Sequence, residues 1–552
     1  MKNIKFYITF LILNGVALTS IAQKTEQDSL DDGLTVNIKY VPTLSESIKI
    51  PVNPNPEQPQ SVKPTFTYKV PDLSTETTPT IYTIKPISLG NALLTKLRNN
   101  YFRLGFGNYA TPLAEVYINS MRNKTWNNGV FFKHLSSNGD REFNNFSNNT
   151  LAGHSKRFFN NSVLSLSALY HRNVVYNYGF LPTVNNAKED TLKNIYNLFD
   201  LNISLESLKS DTISLKYKFD VNYYYQSNNF DLVEHNFKIA GNLSKTISDI
   251  PFTLYTGINS ISYLKNANTL QRTAFIFNPR INLEDENYYL KAGFNFTYFS
   301  DSIESKNNSH FYPFGEAAYH VVPKVLTVLG GVTGNYSINT FRSINAENPF
   351  VRNYNFKNTN NLFEMYVGLK GHIAKGLNYS LQGSIANIEN MLFYVQDSSS
   401  FQKIIYDEGK ITLSTFTADL SYQIGEKWRL ALIAKAYNYS MSKLQFAYSR
   451  PSTEIKLNTS YNIGDKFMLR GDIFFIGQRT GGVTNPTSGN KDNMSEVKLN
   501  PFVDLNLGID YRYTKNVSVF LNFNNMAAAR YMRFSNYDVY GFNAMGGVTL
   551  TF

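Results

Sequence analysis

From Tyr101 to Phe552 the chain returns again and again to one pattern, in which every second side chain is apolar. The clearest case is ISLKYKFDVNYY (213–224). Ile213, Leu215, Tyr217, Phe219, Val221 and Tyr223 alternate there with Ser214, Lys216, Lys218, Asp220, Asn222 and Tyr224. A period of two belongs to a β-strand with one apolar and one polar face. NYYLKAGFNFTYF (287–299) and VDLNLGIDYRY (503–513) repeat it cleanly, HNFKIAGNLS (235–244) and DKFMLRGDIFF (465–475) less so. Composition agrees, because 38 Tyr and 41 Phe suit strands better than helices.

The connections between these runs are of two kinds. Short ones fall near 123–127, 156–160, 209–212, 248–251, 284–286, 322–324, 374–376, 425–427, 464–465 and 514–516. Long polar ones fall at 179–191, 301–310, 343–361, 397–409 and 479–497. Ten short turns make eleven hairpins, hence about 22 strands, with roughly 21 residues for each strand and its connection. A tilted membrane-spanning strand needs about 9–11 residues, which leaves room for tight turns at one end and long loops at the other. A soluble sandwich would need a second apolar sheet over every apolar face. A single meander of this length closes on itself instead and loses its edges. The expected fold is therefore all-β: one large antiparallel transmembrane β-barrel of about 22 strands, apolar face to outer-membrane lipid, short turns on the periplasmic side. The polar positions Lys216, Lys218, Asp220, Asn222, Lys238, Lys291, Asp504, Asp510 and Arg512 are then candidates for lining the lumen, either as plain wall or as charges that tune selectivity.

Ahead of the barrel lie two other textures. Residues 1–22 read as a signal peptide: Lys2 and Lys5, an apolar stretch from Phe6 to Leu18, then Ser20-Ile21-Ala22, with cleavage between Ala22 and Gln23. Residues 23–98 read as an extended periplasmic arm. Nine of the 19 prolines fall between Pro42 and Pro86, which rules out helix and removes ladder donors. Such an arm is a candidate filler of the lumen, or a strand or groove ligand that recruits periplasmic or outer-membrane proteins. The barrel is expected over 99–552.

Several functions are disfavoured. The chain has no cysteine, so disulfides and thiolate sites are excluded. The net charge of +11 is dispersed, and no nucleic-acid motif accompanies it. Seven histidines show no metal-site spacing. Gly105-Phe106-Gly107 sits in an alternating strand with no following helix, so it is no nucleotide loop. No Gly-x-Ser-x-Gly elbow occurs. The expectation is a non-enzyme without metal or cofactor.

The last residues, NFNNMAAARYMRFSNYDVYGFNAMGGVTLTF (522–552), carry Asn525, Met526 and Tyr531, then Gly541 and Asn543, then Val548-Thr549-Leu550-Thr551-Phe552. This pattern resembles the final hairpin of TonB-dependent outer-membrane receptors, especially those of Bacteroidetes, although Ala527 and Ala528 replace the usual Phe and Asn. NYFRLGFGNYATPLAE (100–115) is similar to the opening hairpin of plug-less barrels of that group. The resemblance covers the barrel. It implies that Val548, Leu550 and Phe552 form a C-terminal signal read by the barrel-assembly machinery. It also implies a periplasmic box for energy coupling, for which Leu34, Thr35, Val36, Asn37 and Ile38 are the candidate; the arm is too short and too poorly patterned for the family's globular plug. The expected function is transport across the outer membrane. The alternative is a non-enzymatic scaffold subunit of an outer-membrane protein assembly or secretion machine.

Overall fold

A computed structural model describes residues 100–121, 123–179, 188–208, 214–265, 268–302, 306–397, 401–484 and 494–552. The leader and the arm, with Ala22, Gln23 and the pentad 34–38, lie outside these residues. The described chain is all-β, a closed antiparallel barrel of 22 wall strands. Three short loop strands, Val351–Asn353, Arg479–Thr484 and Met494–Leu499, attach to the same sheet and bring it to 25. Each wall strand pairs with the next in sequence. The first, Tyr101–Gly107, closes on the last, Asn543–Thr551, with Tyr101 opposite Thr551 and Gly107 opposite Met545. No edge of the wall is left unpaired, which removes the usual hazard of a large sheet.

Turn chemistry fixes the register. The strands Leu232–Ile247 and Ile250–Lys265 are joined by Ser248 and Asp249 alone, with φ of 48° and 66°. Two successive left-handed residues give the hairpin turn whose twist matches its strands. Gly376, with φ of 80°, serves the turn between Thr359–Ala374 and Leu377–Gln396. These tight turns share one end of the barrel with Asn100 and Phe552, and we call it the turn end. The opposite, loop end carries the longer connections.

The alternation sorts the wall into two faces. Phe219 is 46% exposed, and Leu164, Leu166, Phe237, Ile239, Met365, Val367, Phe416 and Leu521 are likewise exposed, all with the outward parity of their strands. In a water-soluble sheet protein these would be the core. Here they form an outer belt. Both tryptophans, Trp126 and Trp428, open strands at the turn end and share that outward parity.

Inside the closing seam the packing is tight. The Phe520 ring is fully buried and lies across Gly105 and Gly547 of the two neighbouring strands. A Cβ on Gly105 would stand 2.7 Å from that ring, and one on Gly547 2.5 Å. The Arg103 guanidinium lies over the ring at 3.8 Å. The glycines are thus needed for close approach, and Phe520 fills the space that they leave.

The wall is uneven in height. The seam strand Tyr101–Gly107 has 7 residues, whereas Leu377–Gln396 and Gln402–Ile424 have 20 and 23. Pairing of Gln402–Ile424 with the following strand begins only at Thr412, so its first ten residues project beyond the wall with their hairpin partner. This corrects two sequence expectations. The long connections expected at 301–310 and 397–409 shrink to 302–305 and 397–401, because polar alternating residues continue as paired strand past the apolar belt. The turn expected at 156–160 falls at 159–161, and the strand expected over 213–224 is Lys216–Asn228, Ile213 lying outside the described residues. The connections at 138–145, 441–452 and 525–542 were not expected.

Candidate functional site

The largest buried cluster among the described residues lies across the loop-end mouth, joining wall strands to connections. It joins Tyr196, Leu232, Ile261 and Tyr263 on one sector to Leu392, Tyr394, Ile404 and Tyr406 on a sector separated from it by five wall strands. Phe341, Ile344, Phe350, Val351 and Phe356 of connection 338–358, with Phe534 and Tyr537 of connection 525–542, fill the space between. Only side chains that cross the loop-end mouth reach both sectors. The connections therefore fold into a cap with an apolar core of its own, and burying such side chains contributes roughly 1.5–3 kcal/mol each before ordering costs.

Local sequence explains the cap's shape. Thr340 and Ser343 form a reciprocal capping box that starts the short helix Phe341–Glu347. Pro349 follows and forbids its continuation. The helix is tied from the wall. Glu234, fully buried, accepts the Phe341 amide at 2.7 Å, the Arg342 amide at 3.2 Å and the Tyr224 hydroxyl at 2.7 Å. Arg342 itself pairs with Asp200 at 2.6 Å.

A second wall residue holds both ends of the connection. Arg272 is also fully buried, with Nε 3.3 Å from Asp301 Oδ2, a charge contact off the hydrogen-bond line. It donates to the Asn339 carbonyl at 2.9 Å and to the Asn358 side-chain carbonyl. One guanidinium thus clips residues 339 and 358 together, and a planar fork of five donors is the side chain suited to it. On the far side Glu347 meets Arg450 at 2.6 Å and the Tyr394 hydroxyl at 2.8 Å. Burial pushes the phenols of Tyr354 and Tyr537 well above their usual range. Burial also lowers the Arg352 guanidinium, which lies 4.0 Å from the Phe230 ring and 4.1 Å from the Phe401 ring.

Two further ties complete the cap. In the projecting hairpin the buried Asp407 accepts the amides of Gly409, Ser442, Lys443 and Leu444 at 2.9–3.2 Å, folding connection 441–452 onto it. Desolvation opposes its charge, but these four bonds hold the carboxyl below the usual aspartate range. Connection 525–542 is organised by Asn525, whose side chain donates to Ala529 O and Tyr540 O and whose φ is 47°. Tyr531 donates to Asp504 at 2.6 Å and stacks on Phe502 at 3.4 Å. The residues that carry the C-terminal pattern therefore shape this connection. Arg479 holds its middle through the Met532 and Arg533 carbonyls.

Below the cap the inner wall is polar. Asp220, Asn222 and Lys238 line a recess of about 280 Å³ with Asn202 and Tyr255. Lys216 and Lys218 lie on the same face of their strand. Lys291 pairs with Glu316 at 2.8 Å. Asp510 meets Arg470 at 2.6 Å and Arg103 at 4.0 Å, and Arg512 is exposed one step beyond it. Val548, Leu550 and Phe552 are exposed. The candidate residues are spread around the wall rather than gathered into one constellation. Sequence reasoning missed Glu234, Arg272, Asp407 and Arg479, since the cap partners of each lie tens of positions along the chain. Among the described residues no group of three or more His, Asp or Glu is placed to hold a metal.

No family model matches the chain, and no curated protein sequence matches it. Solved structures do match. The ferric-catecholate import receptor Fiu from E. coli K12 superposes with a TM-score of 0.62 at 12% identity, covering 82% of each chain. The fold is that of outer-membrane receptors. The pyoverdine outer membrane receptor FpvA from Pseudomonas aeruginosa PAO1 gives 0.64 at 12% identity, over 82% of this chain and 78% of that one. The FrpB iron transporter from Neisseria meningitidis gives 0.64 at 9%, over 83% and 82%. At such identities the likeness is one of fold.

Proposed function

We propose that this chain spans an outer membrane as a TonB-dependent receptor-like barrel and works in transport across it, with the cap as its outer closure. The observation that carries the reading is a closed 22-strand wall with an apolar outer belt and a polar inner face. Water does not tolerate such a belt, and lipid does. The import receptors of the same fold support inward traffic. In this reading the turn end is periplasmic, Lys216, Lys218, Asp220, Asn222, Lys291, Asp504, Asp510 and Arg512 line the lumen, and Val548, Leu550 and Phe552 are the assembly signal. Residues 1–22 direct export, 23–98 meet periplasmic or outer-membrane proteins, 34–38 are the coupling box, and the source is a Bacteroidetes-type Gram-negative cell. No metal, cofactor or catalysis enters the reading.

The scaffold alternative draws on the cap itself. A mouth bridged by a buried core, with Glu234 and Arg272 both fully enclosed, suits a barrel that is seldom opened. Planar-bilayer conductance decides between the two. Transport predicts a silent native protein and discrete channels in the Glu234→Gln/Arg272→Met double variant, with residues 24–98 present or deleted. Silence of that double variant in both backgrounds, with stoichiometric envelope proteins co-purifying from native membranes, would leave the scaffold reading and remove the transport one.

A further inference from the structure

The outward wall has one place near the turn end where polar groups and an arginine collect beside the apolar belt. There, along strands Thr111–Asn119, Trp126–Ser137 and Phe146–Phe158, an open recess of about 590 Å³ is lined by Ser120, Met121, Asn123, Trp126, Asn128 and Ser155. Trp126 and Asn128 share the parity of the exposed Val130 and Phe132, and Ser155 that of the exposed Leu151. The recess therefore opens to the barrel's surroundings and not to its lumen. Ser155 Oγ donates to Asn128 Oδ1 at 2.7 Å, which turns the carboxamide and leaves its Nδ2 donors unused by any described residue. Arg157, on the same face, lies 5.1 Å from the Trp126 ring and 5.0 Å from the Phe159 ring. No described carboxylate pairs with it. Directly across on the next strand, Leu164 stands opposite Arg157 and Leu166 opposite Ser155, and both are exposed.

We infer that this recess seats the phosphate of a phospholipid headgroup in the leaflet at the turn end. Arg157 supplies the countercharge, Asn128 Nδ2 the neutral hydrogen bonds with Ser155 holding the carboxamide in place, and Leu164 and Leu166 the track for an acyl chain. The inference rests on the membrane-spanning reading above. Three observations carry it: a cation that no described carboxylate pairs with, Asn128 donors beside it, and direct continuity with the apolar belt. An arginine in that setting matches a phosphate better than it matches water alone, because its donors fit two phosphate oxygens at once. Trp428 provides an internal comparison. It faces outward at the same end, but its Nε1 is already bonded to Thr459 Oγ1 at 2.9 Å, and no described guanidinium lies over its ring.

The test uses the full protein in phosphatidylcholine vesicles doped with brominated phosphatidylglycerol. Each tryptophan is read alone, in Trp428→Phe and Trp126→Phe variants. Trp126 should be quenched at a several-fold lower fraction of brominated lipid than Trp428. Arg157→Gln should raise that fraction roughly tenfold, as loss of a charge-assisted contact implies, while millimolar inorganic phosphate should not relieve the quenching. Heat-modifiable migration checks folding, and Arg157→Lys, which keeps the charge but not the fork, should fall between. Equal quenching of both tryptophans would overturn the site and leave only a general lipid annulus. Relief by inorganic phosphate would overturn the lipid assignment in favour of a free-anion site. Absence of quenching at either tryptophan would instead remove the membrane-spanning reading itself.

Discussion

Replacing Arg272 by methionine isolates what holds the cap. Methionine keeps most of the aliphatic stem and removes the fork, with its place over the Phe299 and Tyr263 rings and its contact to Asp301. Two charge-assisted bonds to connection 338–358 vanish, one to Asn339 O and one to Asn358 Oδ1. Bonds to a charged group contribute about 1.5–3 kcal/mol each, so the closed connection loses about 4 kcal/mol. That is roughly a thousandfold in the opening equilibrium. The wall should not follow, because Asn268–Glu284 keeps its backbone pairing to both neighbours. The assay is hydrogen exchange by mass spectrometry on protein in detergent or nanodiscs. Amides of the short helix, such as Ile344 bonded to Thr340 O and Asn348 bonded to Ile344 O, should exchange roughly a thousandfold faster. Peptides from Leu326–Ser337 should be unchanged. Unaltered exchange in 339–358 would refute the guanidinium as the clip, and loss of protection throughout the wall would refute the cap as a separate cooperative unit.

The other ties give their own readouts. Asp407 has a depressed carboxyl value, so its contribution is complete above the unfolded aspartate value of about 3.9 and drains away as pH falls through the lower folded value. Proteolysis at Lys443 should accordingly stay slow at pH 5 and quicken only below about pH 4, whereas Asp407→Ala should make it fast at pH 7. At the seam, Gly547→Val drives a side chain into Phe520 and should cost about 1–3 kcal/mol or more by overpacking, seen as loss of the compact, heat-modifiable band on gels. Phe520→Ala leaves the opposite defect, a cavity over two glycines, and should destabilise by about 3–5 kcal/mol in urea titration of the folded band. Tyr531→Phe removes one 2.6 Å bond to Asp504 and should loosen only 525–542, by about 1–3 kcal/mol in exchange measurements.

The wall was readable in the sequence because its determinants are local. Alternation assigns faces, and Ser248–Asp249 or Gly376 set a hairpin without help from distant residues. Strand number followed from the turns. Strand length did not, since residues 306–310 and 402–407 are polar enough to look like loop and yet pair with the far end of the preceding strand. The cap was invisible for a different reason. Arg272 and Asn358 are 86 positions apart, and Tyr178 and Asp538 are 360 apart. Nothing in either neighbourhood marks the partner. The aromatic residues of 338–358 look like any polar loop with a few rings in it, and only the folded mouth turns them into a core.

The seam between Tyr101–Gly107 and Asn543–Thr551 bears on how such a molecule comes into being. Every other pairing of the wall joins neighbours in sequence and can zip from its own turn. This one joins residues about 450 positions apart through one of the shortest ladders in the sheet. Bringing such distant ends together costs about 5 kcal/mol in chain entropy from length alone. A chain released vectorially therefore presents twenty-one strands with an open, adhesive margin until its final nine residues arrive. Completion is the slow event, and it falls to the ring of Phe520 to click shut a circle that no local signal can start.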